Sequence, residues 1–488
     1  MPRVLLVDLN NFAHYPSIAV GLLTAALRDS GHSVRVFSPL AHGVRSLPRE
    51  KVESRLDHLE RRISFSTRAW LQTPRSSLGK LRGRWRTRGE RRALPAFRRE
   101  LEAETDVVLI SAYTDRLTLV RGICSLAAAR GTPVVIGGPI FSQADVARAW
   151  VAIPGVHAVV GAEFERRIGS FCHELLSGGE QSTTPGVFLS SADSGLLPPA
   201  ETALDELQQP DYTDFPWDAY ASRIIPIQMG RGCGWGRCRF CGDIVTANGR
   251  GFRSRSVRRV LDEMHVQSKR HDTLNFVFLD LKLNSDPSAW RALIAGISAE
   301  LPGARWIGSA HVESGVDCGL ERADLDAARA AGMLRVTFGL ESGSQRLLDA
   351  MDKGTTVERN RRFVRDAAAA GLSVRATIIQ GYPGERSEDL HATAALLEDL
   401  AADLDRVRVN RLNVLEGTML ARDLERENSN GNGVHSVEWE HEWARSNHVH
   451  EREREADYRA ATRRVLRAVH AINKNPLREA ARDFHGCL

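Results

Sequence analysis

Met229 to Asp243 reads MGRGCGWGRCRFCGD, and no other stretch of this 488-residue chain restricts its fold as tightly. Cys233, Cys238 and Cys241, three of only seven cysteines, fall within nine residues among Gly230, Gly232, Gly234, Gly236 and Gly242. Thiolates crowded onto a backbone freed by glycine suit a metal centre, because soft sulfur selects iron–sulfur clusters or zinc and the loop must wrap the ion closely. A closed structural zinc site wants four protein ligands, and no fourth Cys or His stands at a matching distance downstream. That favours a cubane cluster held by three thiolates, with one iron open to a small molecule. A glycine-rich turn with incidental cysteines and an incomplete zinc knuckle are the competing readings.

The length allows two or three domains with substantial cores. Apolar residues at 42% and charged residues at 26% exclude a disordered chain. The sequence opens MPRVLLVDLNN, an apolar strand pattern rather than a secretory signal, and contains no apolar run of about 18 residues that would span a bilayer. With an odd cysteine count, this predicts a cytoplasmic protein without a disulfide framework. Cys124, Cys172, Cys318 and Cys487 read as core or surface residues. A net charge of +5 is too small to indicate nucleic acid by itself.

Residues 1–176 alternate strand and helix: RVLLVD, a helix over Ile18–Asp29, SVRVFS, then DVVLIS, TPVVIGG and HAVVG with helices between them. That predicts a doubly wound, Rossmann-like or flavodoxin-like α/β domain with ligands at the carboxyl ends of its strands. About 42–100 interrupts it as a basic helical insertion. From Arg82 this reads RGRWRTRGERRALPAFRRE near Trp70 and Trp85, a solvated face, a docking face for an acidic partner, or a nucleic-acid contact. Residues 177–220, rich in Pro and polar side chains, read as a linker. From 221 to 420 six strand–helix repeats predict a parallel (β/α)6 barrel, with the cysteine loop after its first strand, where such barrels place chemistry. Residues 421–488 end in a helix-like run and read as a helical cap carrying Trp439, His441, Trp443, His448 and His450.

The cysteine loop resembles that of the radical S-adenosylmethionine (SAM) superfamily, C-x3-C-x-aromatic-C. Phe240 supplies the aromatic, and the first gap is one residue longer. Asp280 after the second strand, Glu341-Ser342-Gly343 followed by LLDAMDKGTT, and Gly381-Tyr382-Pro383-Gly384-Glu385 resemble that superfamily's SAM-binding segments, in the same order. The N-terminal loops resemble a cobalamin-binding domain. Asp8-Leu9-Asn10 stands where Asp-x-His is usual, Ser111 and Thr114 supply hydroxyls, and Gly137-Gly138 follows the fourth strand. Asn10 in place of His removes the usual imidazole ligand to cobalt through that loop, although His14 close by keeps the ligand open.

Together these features resemble the cobalamin-dependent radical SAM methyltransferases. The resemblance implies a [4Fe-4S] cluster on Cys233, Cys238 and Cys241, SAM near Phe240, Asp280, Glu341, Ser342, Gly381, Pro383 and Glu385, and cobalamin near Asn10, Ser111, Thr114, Gly137 and Gly138. It implies methyl transfer from SAM through methylcobalamin to an unactivated carbon of a secondary metabolite, free or carrier-linked, with a flavodoxin or ferredoxin as electron donor. Nucleic acid and membranes are not expected partners. A cobalamin-dependent cyclase or rearrangement enzyme is the alternative reading, and a non-catalytic cluster and corrinoid sensor a second one. Methylthiotransferases need three further N-terminal cysteines, whereas only Cys124 and Cys172 precede the loop.

Overall fold

A computed structural model describes residues 1–9, 14–44, 50–67, 89–178, 184–189, 200–429, 438–446, 450 and 452–487. Asn10, Trp70, Trp85, His448 and the first part of the arginine-rich run lie outside the described residues.

The N-terminal sheet contains β1 (Arg3–Leu9), β2 (Ser33–Phe37), β3 (Val107–Ala112), β4 (Val134–Gly137), β5 (Val156–Val160) and β6 (Val187–Leu189) in the order β2-β1-β3-β4-β5-β6. All neighbours are parallel except β5 and β6. The near-continuous apolar runs follow from burial on both faces. Val4, Leu6, Val107 and Leu109 join one core with the helices Ile18–Asp29 and Ile168–Leu176, whereas Leu5, Val7, Val108 and Ile110 join another with Leu94–Glu102, Leu117–Ala128 and Ala144–Val151.

The helix Leu94–Glu102 corrects the sequence reading of the arginine-rich run. Ala93, Ala96, Phe97 and Leu101 are buried at helical spacing, so this segment is the domain's own helix preceding β3, with its arginines on the outer face. The insertion is correspondingly shorter. It includes the helix Arg55–Ser64, capped by Ser54 and Asp57, which lies against the C-terminal helix Ala456–Asn473.

The second sheet contains β7 (Ile225–Ile227), β10 (Asn275–Phe278), β11 (Arg305–Ala310), β12 (Met333–Glu341), β13 (Ser373–Gln380) and β14 (Arg406–Arg411), all parallel in the order β14-β13-β12-β11-β10-β7. Between β7 and β10 runs a two-stranded ribbon of β8 (Gly230–Arg231) and β9 (Arg253–Ser254). No pairing joins β14 to β7 among the described residues, so the six strands form a partial barrel. Its lower interior is filled from both ends of the chain, by Tyr15, Ala481, Phe484 and Cys487 against Ile224, Val277, Ile307 and Leu334.

Within the segment read as a linker, residues 200–220 are firmly built in. Tyr212 is fully buried and donates from its hydroxyl to the Pro226 carbonyl at 3.0 Å, while Arg28 bridges Asp211 and Asp214. Its prolines set turns, but its aromatic residues fill the space between the domains. A small sheet of β15 (Val414–Leu415), β16 (Trp439–Glu440) and β17 (Arg445–Ser446) follows the barrel. The helix Ala456–Asn473 then lies along β14 and the helix Ser387–Asp399. Among the described residues no helix is long and apolar enough to cross a membrane.

Candidate active site

Three adjoining cavities run from the strand ends of the first sheet to those of the second. The first, about 120 Å³, is mostly apolar and includes Leu6, Leu109, Ser111, Gly137, Gly138 and Asn248 in its wall. The second, about 590 Å³, lies between the domains, with Tyr113, Thr114, Pro139 and Ile140 on one side and Gln228, Asp280 and Ser309 on the other. The third, about 250 Å³, collects Cys233, Cys238, Phe240, Cys241, His311, Thr337, Glu341, Lys353 and Thr377. Ala19, Pro139 and Asn248 border the first two, and Asp243, Leu281 and Ser309 border the second and third.

The cysteine loop is pinned at each of its parts. Gly232 has φ 83°, and a Cβ there would stand 1.8 Å from the Gly251 carbonyl oxygen, so only glycine fits. Gly234 N donates to Ser285 Oγ at 3.1 Å, and Cys241 N to the Cys238 carbonyl at 3.1 Å. The extra residue in the C-x4-C spacing has a structural explanation. Trp235 lies on Gly354, stacks with His311 at 6.0 Å and donates its indole N–H to the Asp352 carbonyl at 2.7 Å. The longer gap thus locks the cysteine loop onto the Lys353-Gly354 segment.

None of the three thiols is in a disulfide and all three are partly exposed to one cavity, which fits the soft donor set of a cluster. Burial pushes the Cys238 thiol up to about 11 and that of Cys241 up to about 12, so binding a metal there releases protons. Facing them, Lys353 Nζ pairs with Glu341 Oε1 at 3.3 Å, both side chains buried. Burial lowers the lysine, but Glu341 and the sulfurs of Cys238 and Cys241 outweigh it and hold the ammonium above its ordinary range. Glu341 reaches this position from a left-handed residue at φ 57°, and Gly339 leaves the room that its carboxylate occupies. His311 is held down to about 2, chiefly by burial, and is therefore a neutral imidazole.

The predicted SAM residues divide into two groups. Phe240 and Glu341 line the cysteine cavity. Asp280 stands in the interdomain cavity instead, where its carboxylate accepts from Met229 N at 3.0 Å and Gly230 N at 2.6 Å and so fixes the start of the cysteine loop. Burial raises this carboxyl to about 7. Ser342 Oγ is engaged by Thr393 Oγ1 at 3.2 Å and by Ser344 N. Glu385 accepts from Gly381 N at 2.8 Å and from the Tyr458 hydroxyl, closing the turn that contains Pro383. Ser342 and Glu385 thus shape the turns beside the cavity.

Of the predicted corrinoid residues, Ser111, Gly137 and Gly138 line the first cavity and Thr114 the second. Gly137 leaves open space toward the cavity, whereas the need for glycine at 138 is internal, because a Cβ would meet the Ala112 carbonyl oxygen at 2.3 Å.

Sequence reasoning missed the ionic bolt between the domains. Arg231 in β8 pairs with Glu163 at 2.9 Å and Glu165 at 2.7 Å, both just after β5, and Arg253 in β9 pairs with Glu163 at 2.6 Å. The glutamates stand at the carboxyl edge of the first sheet, the signal that could have marked them.

A family model of the radical SAM superfamily matches residues 227–397, which span β7 to the helix after β13. Residues 227–397 form a radical SAM domain. An uncharacterized methyltransferase of Pyrococcus horikoshii is 27% identical over 59% of this chain and 62% of its own length. The anaerobic magnesium-protoporphyrin IX monomethyl ester cyclase of Rubrivivax gelatinosus is 26% identical over 51% and 46%. The chain therefore spans less than two thirds of either relative. The cobalamin-dependent SAM radical enzyme OxsB, solved with aqua-cobalamin and SAM, superposes with a TM-score of 0.68 at 15% identity, covering 91% of this chain and 64% of OxsB. The radical SAM methyltransferase TsrM of Kitasatospora setae gives 0.64 at 19%, covering 90% and 78%. The chain thus shares the two-domain fold of these structures, from first sheet to partial barrel.

Proposed function

We propose that this radical SAM protein is a cobalamin-dependent methyltransferase that moves a methyl group from SAM, by way of the corrinoid, to an unactivated carbon of a small secondary metabolite. The observation that carries the reading is the run of three cavities with shared walls, which offers room for corrinoid, acceptor and SAM side by side. Bound there, the [4Fe-4S] cluster supplies the electron that cleaves SAM and cobalamin supplies a methyl carrier.

The chain's own part is placement. Cys233, Cys238 and Cys241 would hold the cluster, while Glu341, Thr337 and Thr377 offer polar groups to SAM on the facing wall. Ser111 and Gly137, at the strand ends, leave an apolar slot for the corrinoid's nucleotide tail. Tyr113, Leu281, Leu415 and Trp443 enclose the acceptor and exclude water. Among the described residues the interdomain cavity is lined by Asp243 and Asp280 and by no lysine or arginine, which favours a neutral or cationic acceptor. An electron donor of the flavodoxin or ferredoxin type completes the proposal.

Relatives named as methyltransferases support the reading, among them the cytidylyl-2-hydroxyethylphosphonate methyltransferase of Streptomyces wedmorensis, 29% identical over 36% of this chain and 33% of its own length. The cyclase match, of similar identity, favours cyclisation or rearrangement as the second reading. The test is anaerobic reconstitution with iron, sulfide and hydroxocobalamin, then SAM bearing a deuterated methyl and a panel of candidate metabolites. Methyl transfer gives 5′-deoxyadenosine and a product with the intact label. Unlabelled product points to the cyclase reading, and absence of 5′-deoxyadenosine under reduction to a non-catalytic sensor.

A further inference from the structure

The helix Arg55–Ser64 meets the C-terminal helix at a group of side chains that no step above uses. Glu53, just before that helix, donates its backbone N–H to the Asn473 carbonyl at 2.9 Å, and its side chain is only 2% exposed. One carboxylate oxygen, Oε2, is taken by Arg61 at 2.9 Å and Asn473 Nδ2 at 3.2 Å. The other, Oε1, has no hydrogen-bond partner and faces two imidazole nitrogens, His58 Nδ1 at 3.7 Å and His470 Nδ1 at 3.5 Å. Both nitrogens are themselves buried without a hydrogen bond, and the three atoms lie within 4.8 Å of one another. An orphaned carboxylate oxygen opposite two orphaned imidazole nitrogens is costly to bury unless something sits between them.

We propose that Glu53, His58 and His470 bind a divalent transition-metal ion of the zinc class, tying the insertion to the C-terminal helix. Bonds of about 2.0–2.1 Å in a tetrahedron set ligand atoms about 3.3–3.4 Å apart, near the 3.7 and 3.5 Å that separate the Glu53 oxygen from the two rings. Asn473 by a hydrogen bond and Arg61 by an ion pair already hold the second oxygen and leave the first for the ion. The rings are stacked at 4.4 Å with 24° between their planes, so binding the ion requires both rings to turn until their Nδ1 lone pairs converge. A water completes the tetrahedron. Upstream on the same helix Tyr458 and Thr462 support Glu385 and Gln380, so the ion would steady the helix that backs the turn at Gly381–Glu385.

The test uses the full-length protein with its iron cluster assembled, so that the loop thiols are occupied. Zinc is added, and bound zinc and iron per chain are measured together, with a chromophoric chelator as competitor. Wild type should take up one zinc without loss of iron and unfold at a higher temperature. His58→Gln and His470→Gln should each weaken zinc by at least about 100-fold, beyond what loss of a supporting hydrogen bond costs, whereas His470→Cys should retain it. X-ray absorption at the zinc edge of wild type should show nitrogen and oxygen ligands and no sulfur. Equal uptake by wild type and both Gln variants, no uptake by wild type, or sulfur in the zinc shell overturns the proposal, and the absorption result stands even if a variant fails to fold.

Discussion

Replacing Arg231 by Met tests how the two domains are joined. Its side chain is 4% exposed and is the partner of Glu165, itself 14% exposed, whereas Glu163 keeps Arg253 when Arg231 is removed. One carboxylate is then left buried without its cation. Breaking a buried pair costs about 3–5 kcal/mol, and the residual exposure of Glu165 argues for the lower end. About 3 kcal/mol is on the order of 100-fold in a local opening equilibrium. Amide hydrogen exchange should therefore show protection in β8, β9 and the segment after β5 falling by that factor, with the centre of the first sheet little changed. Adding Glu165→Gln to Arg231→Met should recover most of the loss, because a neutral amide replaces the stranded charge. The pH sign agrees. Burial raises the Glu165 carboxyl, but Arg231 outweighs it and holds it below its ordinary value of 4.5, so its stabilisation is present above that pH and is lost as the pH falls through the folded value. The gap between wild type and Arg231→Met should accordingly narrow on acidification below about 4.5. Unchanged protection in the single variant, or no recovery in the double, refutes the reasoning.

Gly232→Ala places a Cβ against the Gly251 carbonyl at a left-handed residue, a strain of about 1–3 kcal/mol before the clash is relieved; reconstituted iron per chain should drop sharply while corrinoid binding persists. Cys233→Ala, Cys238→Ala and Cys241→Ala should each abolish 5′-deoxyadenosine formation and spare the corrinoid, measured by product analysis and by the absorbance of bound cobalamin. Asp280 binds its proton more tightly folded than unfolded, so it makes stability fall as the pH rises from about 4 to about 7; Asp280→Asn should flatten that slope in denaturant titrations. Phe97→Ala, in the helix first read as part of an exposed basic insertion, should cost about 3–5 kcal/mol in unfolding experiments, where an exposed position would cost almost nothing.

Period and order made the two sheets legible, because strands such as VVLIS and VVIGG are apolar throughout and the helices between them repeat at 3.6 residues. The cysteine loop was legible because its chemistry lies in nine consecutive residues. What escaped was assembled from distant positions. Glu163 and Arg231 meet 68 residues apart, and Asp280 finds its donors 51 and 50 residues upstream, contacts that no local pattern encodes. Arginine-rich composition hid the buried stripe of Ala93, Ala96, Phe97 and Leu101, since charge counts do not register which face a residue occupies. Prolines hid the packing role of Tyr212 in the same way, because a turn residue beside a buried ring still reads as a loop.

The interdomain cavity takes its walls from across the whole sequence, with Tyr15 and Tyr113 from the first domain, Gln228 and Ser309 from the barrel, and Trp443 from the tail. An excised barrel would keep its thiols and lose the container around them. On the proposed reading, trimming either end of the chain to obtain a better-behaved fragment would separate consumption of SAM from delivery to an acceptor, and a fragment that turned over SAM without product would be reporting its missing walls.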